Sequence, residues 1–547
     1  MLRVSRDARL GALARGVDVL VIGGGITGAG VALDAASRGY RVGLIERADF
    51  AGGTSSRSTK LIHGGIRYLP QGHIGLVREA LRERGLLLKL AAHIVRPLPF
   101  IVPLYAETRR PLGITLPALL RPAAPLGVRA GLLAYDLFAR SPELRHQVLT
   151  RDRLVRAAPD LRTNGLRRAF VYYDARTDDV RLTHSVLGTA RAHGATTLNY
   201  ASVVELRHNG DRVDGAIVED RLSGRTFEVP ARFVVNATGI WAEQVAAMDG
   251  EPPFHIRHSK GVHLVLRPGA VRASMAIVIP ETDDGRLAFI VPWADRFVLG
   301  TTDDAYRGDL ERPTTTAADI TYLLQHANRY LVRPLGPDDV TATYAGIRPL
   351  IAAAAGSTAA LLRDHHLTHS RGGLMTITGG KLTTYRRMAE DTVDAIVARD
   401  GGGRPCRTAS IPLVGSTGLD QTTATLRAAP LPEAQRRHLL ASYGSAALTV
   451  LDLIREEPAF LEPLAEELPI LAAEAIYACR AEEAVSLADV LYLRTRLAAL
   501  DVAAADRAVD RVDGLMAREL GWDTAERHRQ RAAYDALRAQ ERLALAV

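Results

Sequence analysis

Between Ser55 and Leu69 the chain reads SSRSTKLIHGGIRYL, with four small hydroxyl side chains, three cations, His63 and the pair Gly64-Gly65. Hydroxyls offer hydrogen bonds to ligand oxygens, arginine presents a planar fork of donors, and histidine titrates near neutral pH. The chemistry such types support is the gripping of an oxygen-rich, anionic ligand and the movement of a proton. Upstream, Gly23, Gly25 and Gly28 stand at G-x-G-x-x-G spacing. The first glycine makes a tight turn, the second lets backbone approach a pyrophosphate, and the third lets helix and strand pack closely. Glu46 follows where a carboxylate accepts hydrogen bonds from a ribose diol.

Those residues need elements to hold them. Val17-Asp-Val-Leu-Val-Ile22 is an apolar run ending at the first glycine turn, a helical stretch continues to Arg38, Gly39 stops it, and Arg41 to Glu46 reads as a second strand. Strand, glycine turn, helix and strand make a βαβ unit on a parallel sheet. In that context the glycines predict dinucleotide binding. Two further glycine turns, Val234 to Gly239 and Ile377 to Tyr385, recur far along the chain. A flavin dinucleotide lies extended and needs such separated contacts, more than an NAD domain does. The second turn opens a helix whose N-terminus favours negative charge on the N1/C2 edge of a reduced flavin. Further strands are expected at Thr197 to Leu206, Val213 to Val218, Phe233 to Asn236, Val262 to Leu266, Leu287 to Val291 and Arg296 to Gly300. After the joint Gly401-Gly-Gly-Arg-Pro405, residues 431 to 545 are helical in period, with Ser486 and Asp489 spaced as a capping box.

Length and composition set outer bounds. A chain of 547 residues is too long for one ordinary core, and 47% hydrophobic with 24% charged residues is the profile of a folded protein. Cys406 and Cys479 are the only cysteines, which excludes a disulfide framework and a cysteine metal cluster and fits a reducing, cytoplasmic setting. The N-terminus lacks the pattern of a secretory signal, and no run of about 18 apolar residues occurs, so membrane contact would be peripheral. From Arg96 to Arg168 there are 13 Arg, no Lys and 5 acidic residues, a surplus equal to the whole-chain charge of +8. Apolar pieces at Leu112 to Leu120 and Gly131 to Phe138 lie in the same region, and basic beside apolar residues suits an anionic lipid face. Nucleic acid is not expected: aromatic residues are 5% of the chain and no recognised nucleic-acid module appears.

Together the strings IGGGITGAG, TSSRSTKLIHGGIRYL, NATG, GTTD, GIRPL and GGKLTTYR closely resemble the FAD-dependent glycerol-3-phosphate dehydrogenases, within the glycine/D-amino-acid oxidase type of flavoprotein. The likeness spans nearly the whole chain, including the helical tail. It implies an α/β (α+β) fold: a Rossmann-like FAD-binding domain of glutathione-reductase/D-amino-acid-oxidase type, a mixed-sheet substrate (cap) domain and an all-α C-terminal domain. The implied FAD-binding segments are 1–95, 166–250 and 341–400, the cap segments 96–165 and 251–340, and the helical domain 401–547. For FAD it implies Gly23, Gly25, Ile26, Thr27, Gly28, Glu46 and Arg47; then Thr54, Ser55, Ser56, Lys60, Leu61, His63, Gly64 and Gly65; then Ala237, Thr238 and Gly239; and Gly379, Gly380, Lys381, Leu382 and Thr383. Arg67, Tyr68, Thr301, Thr302, Arg348 and Lys381 are implied to line the substrate pocket, with Arg67 and Arg348 as phosphate clamps. Lys381 would touch substrate oxygen or bias the flavin N1/C2 edge. His63 and His263 are the candidate bases, and Arg348 is an alternative stabiliser of developing alkoxide.

The resemblance implies oxidation of sn-glycerol 3-phosphate to dihydroxyacetone phosphate, with electrons leaving through membrane quinone at the inner face of the cell membrane. A glycerol-3-phosphate oxidase making hydrogen peroxide, an amine or amino-acid oxidase of the same architecture, and a nucleotide-binding regulator without turnover are the alternatives, and a homodimer is left open. No metal site is expected, His365-His366 being adjacent and read as a loop, and no EF-hand loop occurs. Three readings are structural: Asp178, Asp179 and Arg181 as a helix start with a local ion pair (an active-site support role standing as its equal), Trp241 as packing, and Asp303-Asp304 as a turn positioning Thr301 and Thr302. Arg57 stands where relatives often carry a smaller residue, and no role is transferred to it.

Overall fold

The computed structural model describes residues 5–69, 71–111, 117–352 and 365–545. The βαβ unit forms as the sequence requires. Strands Val17–Ile22 and Val42–Ile45 are parallel neighbours, and helix Ile26–Ser37 crosses between them. They sit in an eight-stranded sheet ordered His365–His369, Met375–Gly379, Arg225–Asn236, Val17–Ile22, Val42–Ile45, Thr196–Leu198, with Ala201–Asn209 and Arg212–Asp220 attached as a hairpin. Parallel central strands are buried on both faces, which is why VDVLVI and VGLI read as continuous apolar runs. Helices Ile26–Ser37, Asp179–Ala192 and Tyr385–Asp400 share one apolar core with this sheet through Val31, Val186 and Val393.

A second, ten-stranded mixed sheet is built mainly from antiparallel pairs, with Ala276–Ile279 and Arg96–Tyr105 pairing in parallel. Its strand Val340–Ala352 pairs with His255–Leu266 along nearly its whole length. Two segment assignments therefore change. Leu166–Arg176 and Val340–Ala352 open the stretches expected to be flavin-domain segments, yet both pair in the second sheet. Their apolar patterns fit either sheet, and long-range pairing decides between them. Leu61–Ile62 likewise pairs at the edge of the second sheet, so the hydroxyl-rich stretch before it bridges the two.

The expected strand Thr197 to Leu206 is broken at Tyr200, where φ is 51°, and the chain leaves the parallel sheet for the hairpin. His365 and His366 lie in a strand, not a loop, because Met375–Gly379 supplies their ladder. Beyond residue 401 the described residues form helices around a core that also takes in Val265, Trp293, Val298 and Ala342 of the second sheet. The Ser486–Asp489 capping box is present, with reciprocal bonds of 3.1 and 3.0 Å, and it leads into a π-helix, Asp489–Arg494.

Candidate active site

At the end of strand Val17–Ile22 the chain turns at Gly23, whose φ of 112° only glycine adopts without strain. A Cβ on Gly28 would lie 1.9 Å from the carbonyl oxygen of Gly23, so helix and turn meet as the spacing demands. Gly25 is the N-cap of helix Ile26–Ser37 and brings no side-chain cap. Of the first-turn N–H groups, that of Ile26 donates to the Ser55 hydroxyl at 2.9 Å. The Glu46 carboxylate accepts from Gly24 N–H at 2.7 Å and Ala48 N–H at 2.9 Å; burial pushes its pKa up against those two donors.

Gly23, Gly25, Glu46 and Ser55 border a cavity of about 440 Å³, together with Ile26, Thr27, Arg47, Thr54, Ala237, Thr238 and Gly239, while Gly28 packs behind the turn against Gly23 and does not line it. A glycine-lined helix N-terminus facing a cavity, with a carboxylate at the far strand end, fits the phosphates and ribose of a dinucleotide. Trp241 also lines it and packs against the Arg47 guanidinium, 4.0 Å from its ring centre. Gly28→Ala is expected to cost about 1–3 kcal/mol in overpacking or more, since no side-chain movement relieves a clash with backbone. Flavin released per protein after denaturation should then fall about tenfold or more, while the second sheet and helical region keep their secondary structure.

A second cavity of about 330 Å³ shares Ile26, Thr54, Ser55, Pro349 and Gly379 to Leu382 with the first, so the two form one continuous cleft. Gly379 and Gly380 have φ of 77° and 68°, turning the chain so that Lys381 caps the short turn Leu382–Thr384 ahead of helix Tyr385–Asp400. Thr383 Oγ1 accepts the His63 N–H at 3.0 Å, which ties this turn to the hydroxyl-rich stretch. Leu61, His63, Gly65, Arg67, Tyr68, His263, Thr301, Arg348 and Thr383 all line the second cavity.

Arg67 donates to the Tyr68 hydroxyl at 2.8 Å, and the Lys381 ammonium stands 4.5 Å from the Tyr68 ring centre. Across the cavity, Arg348 donates to Thr301 Oγ1 at 3.0 Å, to the Thr302 carbonyl at 3.2 Å and to Asp303 at 3.1 Å. Its guanidinium lies over Gly261, where a Cβ would come within 2.3 Å. His263 accepts or donates at Nε2 with Thr59 Oγ1 at 2.8 Å and stacks on Tyr344 at 4.8 Å.

Five cations line this cavity, Arg57, Arg67, Arg286, Arg348 and Lys381, against the carboxylates Asp174 and Asp303 among the described residues. Asp174 is itself paired with Arg84 at 2.8 Å, and Arg286 with Asp284 at 3.2 Å, which leaves Arg57, Arg67, Arg348 and Lys381 against Asp303. The surplus suits a doubly negative ligand. Burial, then Lys381 and Arg67, hold the His63 imidazole at about 3; burial, then Arg348 and Lys60, hold His263 well below its ordinary value. Both rings are neutral at pH 7.

Four expected site residues lie elsewhere. Lys60 does not reach the cleft: its ammonium is buried against Asp179, 2.8 Å from both carboxylate oxygens. Ser56 is buried and donates to the Gly53 carbonyl. Gly64 is tight against the core, where a Cβ would lie 2.4 Å from Leu81 and Tyr135, so Gly65 is the glycine at the cavity. The Thr302 hydroxyl accepts from Val262 N–H at 3.0 Å, leaving Thr301 as the lining threonine. Asp178 does cap helix Asp179–Ala192, but the ion pairs of Asp179 and Arg181 are distant, to Lys60 and Glu482, not local. Sequence reading missed Asp303, taken as part of a turn, and Arg57, which lines the cavity.

Comparison with known proteins places this geometry. Residues 18–386 match the family model for FAD dependent oxidoreductases, and 406–527 match that for the C-terminal domain of alpha-glycerophosphate oxidase. A glycerol-3-phosphate dehydrogenase of Mycobacterium leprae is 39% identical over 533 residues, covering 95% of this chain and 87% of that protein. The mitochondrial glycerol-3-phosphate dehydrogenase of Mesocricetus auratus is 38% identical over 545 residues, covering 95% and 73%. Among solved structures, the glycerol-3-phosphate dehydrogenase of Bacillus halodurans complexed with FAD superposes with a TM-score of 0.81 at 30% identity, covering 98% of this chain and 97% of that one.

Proposed function

Because the chain belongs to the FAD-dependent glycerol-3-phosphate dehydrogenases, we propose that its cleft binds sn-glycerol 3-phosphate with the phosphate toward Arg67 and Lys381 and the C2 hydroxyl toward His263 and Arg348. The enzyme is an oxidoreductase that converts this ester to dihydroxyacetone phosphate. Gly23, Gly25, Ser55 and Glu46 would hold the adenosine diphosphate portion of FAD, and Gly379 to Leu382 the region of its ring. When bound, FAD supplies the acceptor for the hydride leaving C2.

The carrying observation is the surplus of cations in the second cavity, which a dianionic ester offsets and an amino acid does not require. Arg348 is already balanced by Asp303 at 3.1 Å. Arg67 makes no ion pair with the described residues, so its charge is available to phosphate. His263 Nδ1 is buried without a hydrogen-bond partner among the described residues. An Nδ1–H there would strand a donor, so hydrogen-bond accounting puts the proton on Nε2, facing Thr59, and leaves the buried Nδ1 lone pair unpaired. His263 Nδ1 thus accepts the C2 hydroxyl proton, and the Arg348 guanidinium stabilises negative charge on that oxygen. The phosphate dianion offsets the Lys381 and Arg67 charges that depress the His63 imidazole. Among the described residues no side chain hydrogen-bonds the His63 ring, and it serves as a wall of the phosphate end.

For the electron acceptor, quinone in the membrane is favoured by the surface of helix Ala124–Ala139. Leu126, Leu133 and Leu137 are exposed along one side, 72%, 54% and 73% respectively, while Val128, Leu132 and Tyr135 on the other are buried. Arg129 and Arg140 are exposed nearby, a pattern suited to anionic lipid. No helix among the described residues is long and apolar enough to cross a membrane. Much of the apolar piece Leu112 to Leu120 lies outside the described residues. Replacing both Leu126 and Leu137 by Asp is expected to lower binding to phosphatidylglycerol vesicles about a hundredfold, from lost burial of two leucines. Turnover with a soluble quinone analogue should be unchanged. Hydrogen peroxide formed in step with dihydroxyacetone phosphate in air would instead favour the oxidase reading.

A further inference from the structure

The stretch that touches His263 is held from beneath by a part of the chain far away in sequence. Arg496 follows the π-helix Asp489–Arg494 and takes φ of 62°, and its guanidinium enters the joint between the two sheets. There it donates to the Ser56 carbonyl at 3.2 Å and approaches Asp179 at 3.4 Å. Lys60, also at φ 62°, donates to the same carbonyl at 3.0 Å and to both Asp179 oxygens. Asp179 in turn accepts the Ser58 N–H at 3.0 Å and the Ser58 hydroxyl at 2.7 Å. The Tyr344 hydroxyl donates to the Ser58 carbonyl at 3.0 Å while its ring stacks on His263. Ser56 and Ser58 are thereby fixed on both sides of Arg57, and the next residue, Thr59, is the hydrogen-bond partner of His263.

We infer that Arg496 and Lys60 are positioning residues for the reaction: through Asp179 they fix the Ser56–Thr59 backbone, and through the Thr59 hydroxyl they hold His263 in the orientation and tautomer that leave the Nδ1 lone pair unpaired. The helical C-terminal region is then part of the active-site machinery and not an appendage. A buried cluster of two cations on Asp179, with Asp178 3.5 Å from Arg496, is a costly way to anchor a loop, and apolar packing would do so as well. What the cluster adds is directionality: fixed donors on a fixed carbonyl.

The inference rests on His263 being the base. Arg496→Met and Thr59→Val are made in the full-length holoenzyme, with Arg496→Lys and Thr59→Ser as conservative partners. Each of the first two is expected to lower kcat about tenfold or more at a KM within about twofold of the parent. The double variant should be no slower than the slower single within about twofold, because both break one chain of contacts. Thr59→Ser should return kcat to within about threefold, and Arg496→Lys should recover part of the loss. Nitrogen-15 spectra of the histidine rings should show His263 as one Nε2–H tautomer in the parent and a mixture in both variants. An Arg496→Met enzyme that melts earlier but keeps parental kcat and His263 signals would reduce the cluster to a structural anchor. So would independent, multiplicative losses in the double variant. His263→Gln separates the two readings: if it turns over normally the base assignment fails, whereas a slow His263→Gln beside fast Thr59→Val and Arg496→Met overturns only the positioning role.

Discussion

His263→Gln is expected to slow anaerobic flavin reduction by glycerol 3-phosphate about a hundred- to ten-thousandfold, the usual range for losing a positioned general base. Glutamine keeps the bond to Thr59 and much of the volume between Gly300 and Tyr344, so cofactor content and folding should hold. What it lacks is a nitrogen lone pair at the place of Nδ1. The C2 hydroxyl proton then goes to water or stays on oxygen, and the barrier rises with little change in substrate affinity. Rapid-mixing absorbance under nitrogen reads the rate, and substrate dependence of the rate separates affinity from chemistry. His63→Gln should fall less than about tenfold, since among the described residues no second side chain orients that ring. The reverse ranking would move the base to His63.

Replacing Arg67 or Lys381 by methionine is expected to act on the other end of the substrate. Each charge-assisted bond to phosphate is worth about 1.5–3 kcal/mol, so kcat/KM should drop about ten- to a hundredfold for either variant. The loss should lie mainly in substrate affinity. Glycerol, which lacks the phosphate, should be oxidised poorly by the parent and hardly less well by the variants. Lys381→Met carries a second signature. After burial, Lys381 is the leading cause of the depressed His63 imidazole, which sits at about 3 with Arg67 adding to it. Removing the positive charge lets that value rise, which histidine NMR across acid pH measures. An unchanged affinity for the ester in both variants would remove the phosphate from this end of the cavity.

The parts of the site that were legible in sequence are those whose roles are local. Gly23, Gly25 and Gly28 act through spacing along one turn, and Glu46 sits at the end of the adjacent strand, so order in the chain carries their meaning. Lys60 was not legible. A lysine among hydroxyls reads the same whether it faces a phosphate or is buried on Asp179, and only folding brings those two together. Asp303 was hidden for a similar reason: its partner Arg348 arrives from strand Val340–Ala352, placed by pairing with His255–Leu266 and opposite Ser259, whose hydroxyl also bonds Asp303. Ser56 and Arg496, 440 positions apart, meet across domains that periodicity alone assigns separately. Strands Leu166–Arg176 and Val340–Ala352 fell to the wrong domain because alternation shows that a strand forms and not which sheet receives it.

Anaerobic titration of the purified protein with glycerol 3-phosphate, followed by its visible spectrum, bears most directly on the cleft as a flavin site facing a cation-lined pocket for a phosphate ester. The protein should emerge yellow, and its flavin band should bleach with about one equivalent of this ester and not with glycerol, glycine or D-alanine. A colourless protein, or a flavin reduced by an amino acid and indifferent to glycerol 3-phosphate, would contradict it.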